Sequence, residues 1–245
     1  MSPDDCRSLA GKTILVTGAS SGIGRATARA AVAAGAAVGL IARRQRELEA
    51  LAKEIGTAEN RVVALAADLT ERASVQAAVD RAIEELGPLD VVIHAAGINI
   101  RERSLDLLTA EAWENMLRTN LTAAFHLTQV VVPRLRGRGG RIVYVSSYAV
   151  QRPDGSGVAY QASKHGMVGL AHGTMVEEKA NGIRTTMIFP GLTDTPLILQ
   201  RPVPTPPEVL AKALQPEDVA AACLFVAGLP ARVHVPELQM VPADL

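Results

Sequence analysis

The chain has 245 residues, a length that fits one domain better than two. Its 25 basic and 25 acidic residues balance, which argues against nucleic acid or an anionic membrane surface as the main partner. Hydrophobic residues make up 48% of the chain and aromatic residues 3%, which excludes general disorder and does not favour an aromatic platform for single-stranded nucleic acid.

The sequence gives no indication of a membrane segment, a leader or a metal site. Residues 1–5 are acidic and lack the apolar core of a secretory signal, and the longest apolar stretch, Ala30 to Ala42, is too short to span a bilayer. Cys6 and Cys223 lie far apart and are expected to be free thiols in a reducing cytoplasm. Because neither cysteines nor histidines have metal-ligand spacing, we expect a cytoplasmic protein without a metal.

Short apolar runs alternate with longer helical patterns along the chain. Strands are predicted at residues 13–16, 36–42, 61–66, 89–93, 141–145, 183–189 and 238–241, and helices at 25–34, 44–55, 71–86, 109–135, 160–180 and 216–227. This alternation predicts an α/β fold: a single doubly wound, Rossmann-type parallel sheet of about seven strands with helices on both faces. We expect one domain over residues 1–245, with a proline-rich substrate loop or lid at 192–212.

A glycine-rich turn follows the first strand, where residues 17–24 are Thr-Gly-Ala-Ser-Ser-Gly-Ile-Gly. Glycines permit a tight turn and let the backbone approach a pyrophosphate, and the next helix offers free N–H groups and a positive dipole end. The turn therefore predicts a dinucleotide site, with cofactor-binding residues Gly18, Ser20, Ser21, Gly22, Ile23 and Gly24.

The same turn also matches Gly-x-Ser-x-Gly, the nucleophile elbow of α/β hydrolases, with Ser20 as the nucleophile. Chain order would allow Asp154 with His165 or His172, or Asp218 with His234, as its partners. No sequence feature places either pair near Ser20, so a serine hydrolase is the remote alternative.

The end of the second strand bears on the choice of nicotinamide cofactor. NAD sites usually carry an acid there for the ribose 2′-hydroxyl, whereas this chain has Arg43 and Arg44. Because a guanidinium fork suits a phosphate, NADP(H) is the preferred cofactor and NAD(H) remains possible. In the alternative interpretation, the two arginines only begin a solvated helix, with Glu47 four residues after Arg43.

Four polar residues form a candidate catalytic group. Tyr160 and Lys164 are four residues apart and share one helix face, so the ammonium is expected to favour the phenolate and lower the tyrosine pKa. Such a tyrosine can give a proton to a carbonyl oxygen or take one from an alcohol. Ser147 follows the fifth strand and could hold the substrate oxygen, while Asn120 could anchor water behind the lysine.

These motifs, in this order, resemble the short-chain dehydrogenase/reductase family of the classical type over nearly the whole chain. The resemblance implies that Tyr160 is the general acid/base, that Lys164 lowers its pKa and binds the nicotinamide ribose, and that Ser147 orients the substrate. It also implies that Asn120 completes a proton relay. Further implied cofactor contacts are Asp68 and Leu69 at the adenine, Ala95, Ala96 and Gly97 at the adenosine ribose, and Pro190, Gly191, Thr193 and Thr195 at the nicotinamide.

The chain departs from the family pattern at His94, where asparagine is common, and we expect His94 to be a hydrogen-bonded core group. Residues 230–238 look more like the 3-hydroxy acid and serine dehydrogenase branch than like the acyl-carrier-protein reductases. For Arg101 and Arg103, a solvated loop is favoured over binding of a substrate carboxylate.

The sequence as a whole predicts an NADP(H)-dependent enzyme that interconverts a carbonyl and a secondary alcohol by hydride transfer. The partner is a small molecule, a 3-hydroxy acid or a small ketone, and neither nucleic acid nor a membrane is expected. A homo-oligomer, tetramer or dimer, is implied by the family through the helices of Asn120 and Tyr160. The alternative from another class is a regulatory protein that binds NADP(H) without turnover.

Overall fold

The computed structural model describes residues 9–57 and 60–244. In that part of the chain, parallel strands form a seven-stranded sheet: β1 (Thr13–Thr17), β2 (Ala37–Ala42), β3 (Val62–Ala66), β4 (Val91–His94), β5 (Gly140–Val145), β6 (Ile183–Pro190) and β7 (Glu237–Met240). Their order is β3-β2-β1-β4-β5-β6-β7. The winding reverses between β1 and β4, where such sheets open a crevice for ligands. The predicted fold class is confirmed.

Helices cover both faces of the sheet: α1 (Gly22–Ala33), α2 (Gln45–Ile55), α3 (Arg72–Leu86), α4 (Ala110–Leu117), α5 (Ala123–Leu135), α6 (Val158–Glu178), α7 (Pro207–Leu210) and α8 (Pro216–Ala227). Alternate residues of β1 pack on opposite faces of the sheet. Leu15 packs against α3, α5 and α6 on one face, whereas Ile14 and Val16 pack against α1, α2 and α8 on the other. Burial on both faces explains why the central strands, such as β1 and β4, are nearly continuous apolar runs.

The structure differs from the predicted elements at two places that matter for function. The helix predicted over 109–135 is divided into α4 and α5 by a π-helical turn, Arg118–Thr122, in which Asn120 is fully buried. Such turns are frequent at functional sites. The proline-rich segment predicted as a loop contains a short 3₁₀ turn, Pro196–Gln200, and α7. Proline is tolerated there because it occupies first-turn positions.

No helix in residues 9–57 and 60–244 is long and apolar enough to cross a membrane. Over the same residues, no three His, Cys, Asp or Glu side chains come together as metal ligands. Cys223 is buried and forms no disulfide with a described residue, whereas Cys6 lies outside the described residues.

Candidate active site

The turn between β1 and α1 requires its glycines. Gly18 has φ 68°, and a Cβ atom there would lie 2.8 Å from the backbone nitrogen of Ala96. A Cβ atom at Gly24 would clash with the carbonyl oxygen of Gly18. The first turn of α1 begins at Gly22 and contains no acidic residue. The backbone therefore leaves a tight cradle in which the positive end of the α1 dipole is available to an anion.

A cavity of about 310 Å³ extends from this turn along the carboxyl ends of β1, β2 and β4. Its lining includes most of the predicted cofactor residues: Gly18, Ser20, Ser21, Gly22, Ile23, Arg43, Arg44, Asp68, Leu69, Ala95, Ala96, Gly97 and Thr195. Gly24 lies inside α1, beneath the turn. The cradle and the lining residues fit a dinucleotide.

The two arginines at the end of β2 both line this cavity. The Arg44 Nη2 donates to Ser20 Oγ at 2.9 Å, and the Arg44 Nη1 lies 3.7 Å from a Glu47 carboxylate oxygen. A hydrogen bond from the Thr70 backbone chiefly lowers the pKa of Asp68, and the charge of Arg43 adds to this effect. Positive charge is thus concentrated beside the β1–α1 turn.

Tyr160 lies in the first turn of α6 and is buried. Burial raises its pKa, and a hydrogen bond with Ser147 opposes that rise. Burial is the dominant cause in this structure, and the lowering of the Tyr160 pKa by Lys164 stays a prediction. Lys164 Nζ donates to the Val145 carbonyl oxygen at 3.1 Å and lies 5.7 Å from the Tyr160 ring centroid. Burial lowers the pKa of Lys164 itself to about 8.

Asn120 joins the loop after β4 to α6. Its Nδ2 donates to the carbonyl oxygen of Ile98 and to Ser163 Oγ, both at 3.0 Å, and its Oδ1 accepts from the Ile98 N–H at 2.8 Å. A Cβ atom at Gly97 would lie 3.4 Å from both Asn120 Oδ1 and Lys164 Nζ. The π turn thus places the amide on the same side of Gly97 as the lysine.

A second cavity, of about 590 Å³, opens in front of Ser147 and Tyr160. Three predicted nicotinamide residues, Pro190, Gly191 and Thr193, line this cavity, and Thr195 lines both. A bridge between Thr193 and Leu214 joins the start of the predicted substrate loop, 192–212, to a residue just beyond its end, and the Asp194 N–H donates to the Leu214 carbonyl oxygen at 2.8 Å.

Two polar residues of the second cavity, Asn99 and Arg201, are not predicted from the sequence, and a third, Arg103, is predicted to be solvated. Asn99, Arg103 and Arg201 all line it. The expected solvated loop is wrong for Arg103, which is only 8% exposed, although Arg101 is exposed as expected. The position of Arg103 after β4 was the available signal, but its burial depends on a distant contact with the α6 N-terminus that local pattern does not reveal.

His94 is fully buried at the end of β4, and its Nδ1 lies 2.9 Å from Thr17 Oγ1. Burial, reinforced by the charge of Lys164, lowers the His94 pKa to about 3. The prediction that His94 is a hydrogen-bonded core group is confirmed.

The hydrolase alternative finds no support in the described part of the chain. Ser20 Oγ accepts from Arg44, while the histidines proposed as its base bond elsewhere. His165 contacts the Gln161 carbonyl, His172 pairs with Glu237, and His234 contacts the Thr185 carbonyl.

The parallel sheet, the glycine turn at its switch point and the Ser147, Tyr160 and Lys164 side chains define a dinucleotide-binding oxidoreductase. The family model described as short chain dehydrogenase matches residues 12–202, and the chain belongs to that family.

Similar proteins cover nearly the whole chain. D-threitol dehydrogenase from Mycolicibacterium smegmatis is 34% identical over 232 residues, 90% of this chain and 87% of the relative. The structure of an alcohol dehydrogenase from Thermococcus sibiricus, complexed with 5-hydroxy-NADP, has a TM-score of 0.86 and 28% identity over 96% of this chain and 97% of that one. The 3-ketoacyl-(acyl-carrier-protein) reductase from Brucella melitensis, complexed with NADH, has a TM-score of 0.88 and 27% identity over 96% and 99%.

Proposed function

We propose that the protein is an NADP(H)-dependent oxidoreductase that interconverts a carbonyl and a secondary alcohol by hydride transfer, with Tyr160 as general acid/base. The observation that carries the proposal is the buried phenol of Tyr160, hydrogen-bonded to Ser147 in the second cavity. Thr195 and Ile23 line both cavities, so a cofactor in the first cavity and a substrate in the second would meet beside Tyr160.

The residues at this junction handle the proton of the reaction. When bound, the nicotinamide supplies or accepts a hydride. Because burial raises its pKa, Tyr160 holds its proton at neutral pH, the form that donates to a carbonyl oxygen during reduction. Ser147 holds that oxygen. Lys164 and Asn120, which lie on the same side of Gly97, form the route by which Tyr160 regains its proton.

Arg43 and Arg44 support a preference for the phosphorylated cofactor. Both line the first cavity, and a 2′-phosphate beside the Arg44–Ser20 pair would receive charge-assisted hydrogen bonds. Glu47 competes for Arg44 only weakly, since the 3.7 Å pair is exposed. NAD(H) remains the weaker ligand in this proposal.

The substrate is a small molecule, a 3-hydroxy acid or a small ketone, and residues 192–212 act as the lid over it within a single domain. The bridge between Thr193 and Leu214 supports this role because it joins the start of the segment to a residue just beyond its end. A homo-oligomer, tetramer or dimer, formed through the helices of Asn120 and Tyr160 belongs to the same proposal.

The test is the variant Tyr160→Phe, assayed with NADPH against a panel of small ketones and oxo acids. Loss of the proton donor should reduce kcat/KM by about 1000-fold while the NADPH dissociation constant stays nearly unchanged. Retained turnover would remove Tyr160 from this role. Tight NADPH binding by the wild type without turnover of any compound would support the regulatory alternative instead.

A further inference from the structure

Arg103 lies in the loop between β4 and α4 and is buried against the start of α6. Its side chain lines the same cavity as Ser147 and Tyr160. Gly157, with φ 93°, makes room for it, because a Cβ atom at Gly157 would lie 2.7 Å from the Cβ of Arg103. The fold therefore holds this guanidinium at the wall of the second cavity.

The charge of Arg103 is incompletely satisfied by its protein partners. Nη1 donates to the Ser156 carbonyl at 3.5 Å and Nη2 to the Gln200 carbonyl at 3.2 Å, while the buried Nε has no partner among the described residues. Both accepting groups are neutral. Burying a cation without a carboxylate partner is costly, so such sites usually serve a ligand or a network.

The charged neighbours of Arg103 leave this wall of the cavity positive. Arg201 also lines it, and its charge acts unfavourably on Arg103. Asp154 is the acidic residue whose charge reaches Arg103, but Asp154 is exposed and its Oδ1 already accepts from the Ser156 N–H at 2.9 Å. One exposed carboxylate does not balance two guanidiniums.

We infer that the substrate carries a carboxylate, which is bound by Arg103 and Arg201 while the reacting oxygen lies at Ser147 and Tyr160. This inference rests on the proposed function and selects the oxo acid and hydroxy acid pair over the neutral ketone. Both guanidiniums line the cavity of Ser147 and Tyr160, and a planar guanidinium suits a carboxylate better than a neutral group.

A competing role for Arg103 is to fasten the turn Pro196–Gln200 through the Gln200 carbonyl. Arg101 provides the matched control, because its Nη2 donates to the Leu199 carbonyl of the same turn at 3.3 Å, yet Arg101 is exposed and does not line the cavity. A purely structural role would affect acidic and neutral substrates alike.

The experiment compares the reduction of 3-oxobutanoate and of its neutral methyl ester by NADPH. The variant Arg103→Met should lower kcat/KM for the acid by about 100-fold and for the ester by less than about threefold. The preference for the acid over the ester should be partly retained in Arg103→Lys and weakened in Arg201→Met. It should be unchanged in Arg101→Met. Equal losses for acid and ester in Arg103→Met would overturn the inference.

A binding measurement separates this inference from the proposed function. Malonate, a dicarboxylate that cannot be reduced by the enzyme, is titrated calorimetrically into the wild type and into the Arg103 variants mixed with NADP⁺. Binding that is lost in Arg103→Met and partly kept in Arg103→Lys supports the carboxylate site even where neither oxo compound is reduced. Reduction of the ester without malonate binding, and without preference for the acid, would overturn the inference and leave the proposed function standing.

Discussion

Glycine and alanine residues supply many of the lining positions of the cavity at the β1–α1 turn, whereas polar and charged residues from several loops supply most of those in front of Tyr160. The first depends on glycines at the switch point of the sheet, such as Gly18 packed against Ala96. The second depends on residues such as Arg103 and Arg201, whose positions are fixed by contacts between distant segments. The sheet thus determines the position of the cofactor site, while the loops determine the substrate specificity.

The largest effect on the sheet side should come from His94, the buried group beneath the switch point. Its folded-state pKa is about 3, against an ordinary value of 6.5, so the unfolded chain binds more protons between these values. Stability should therefore be lost as pH falls from 6.5 towards 3, by about 3 kcal/mol near pH 4.

The variant His94→Asn removes this titration, so its free energy of unfolding should depend less on pH over that window. Urea unfolding of both proteins at pH 7 and near pH 4 gives their free energies of unfolding. The quantity to compare is how much each protein loses between the two pH values. Parallel pH profiles would contradict a neutral, buried His94.

A smaller effect should follow from Gly18→Ala, which tests the backbone cradle directly. The positive φ and the approach to Ala96 should together cost about 2 kcal/mol in folding or in NADPH binding. Gly137→Ala is the matched control, because Gly137 has φ 78° with open space around it and would carry only the backbone strain. Fluorescence titration should show weaker NADPH binding in Gly18→Ala but not in Gly137→Ala. Equal NADPH affinities in the two variants would contradict a cofactor site at this turn.

The smallest expected effect concerns the choice between the two cofactors. The variants Arg43→Ser and Arg44→Ser should each reduce the preference for NADPH over NADH by about tenfold, or about 1.4 kcal/mol. Arg46→Ser is the control, because Arg46 is exposed in the first turn of α2 and lies outside the cavity. An unchanged preference for NADPH over NADH in all three variants would show that neither arginine binds the 2′-phosphate.

The parts of the molecule that follow short-range rules could be predicted from the sequence. The central strands β1 and β4 are buried along their whole length, and the glycine turn needs a backbone that only glycine adopts easily, so short-range patterns predict both. The π turn at Asn120 and the burial of Arg103 could not be predicted, because each depends on packing between segments far apart in the chain. The burial that raises the Tyr160 pKa could not be predicted for a related reason, since the helix spacing to Lys164 reveals a nearby charge but not how deeply the phenol lies.

Thermal unfolding of the purified protein with NADPH, NADP⁺, NADH and NAD⁺ at equal concentrations tests the central claim most directly. A ligand that binds only the folded state raises the melting temperature, and at equal concentration the tighter ligand raises it more. We expect NADPH and NADP⁺ to raise it more than NADH and NAD⁺, because Arg43 and Arg44 border the cavity. No shift with any of the four would contradict a dinucleotide site at the β1–α1 turn, and a larger shift with the unphosphorylated pair would contradict the assigned role of the two arginines.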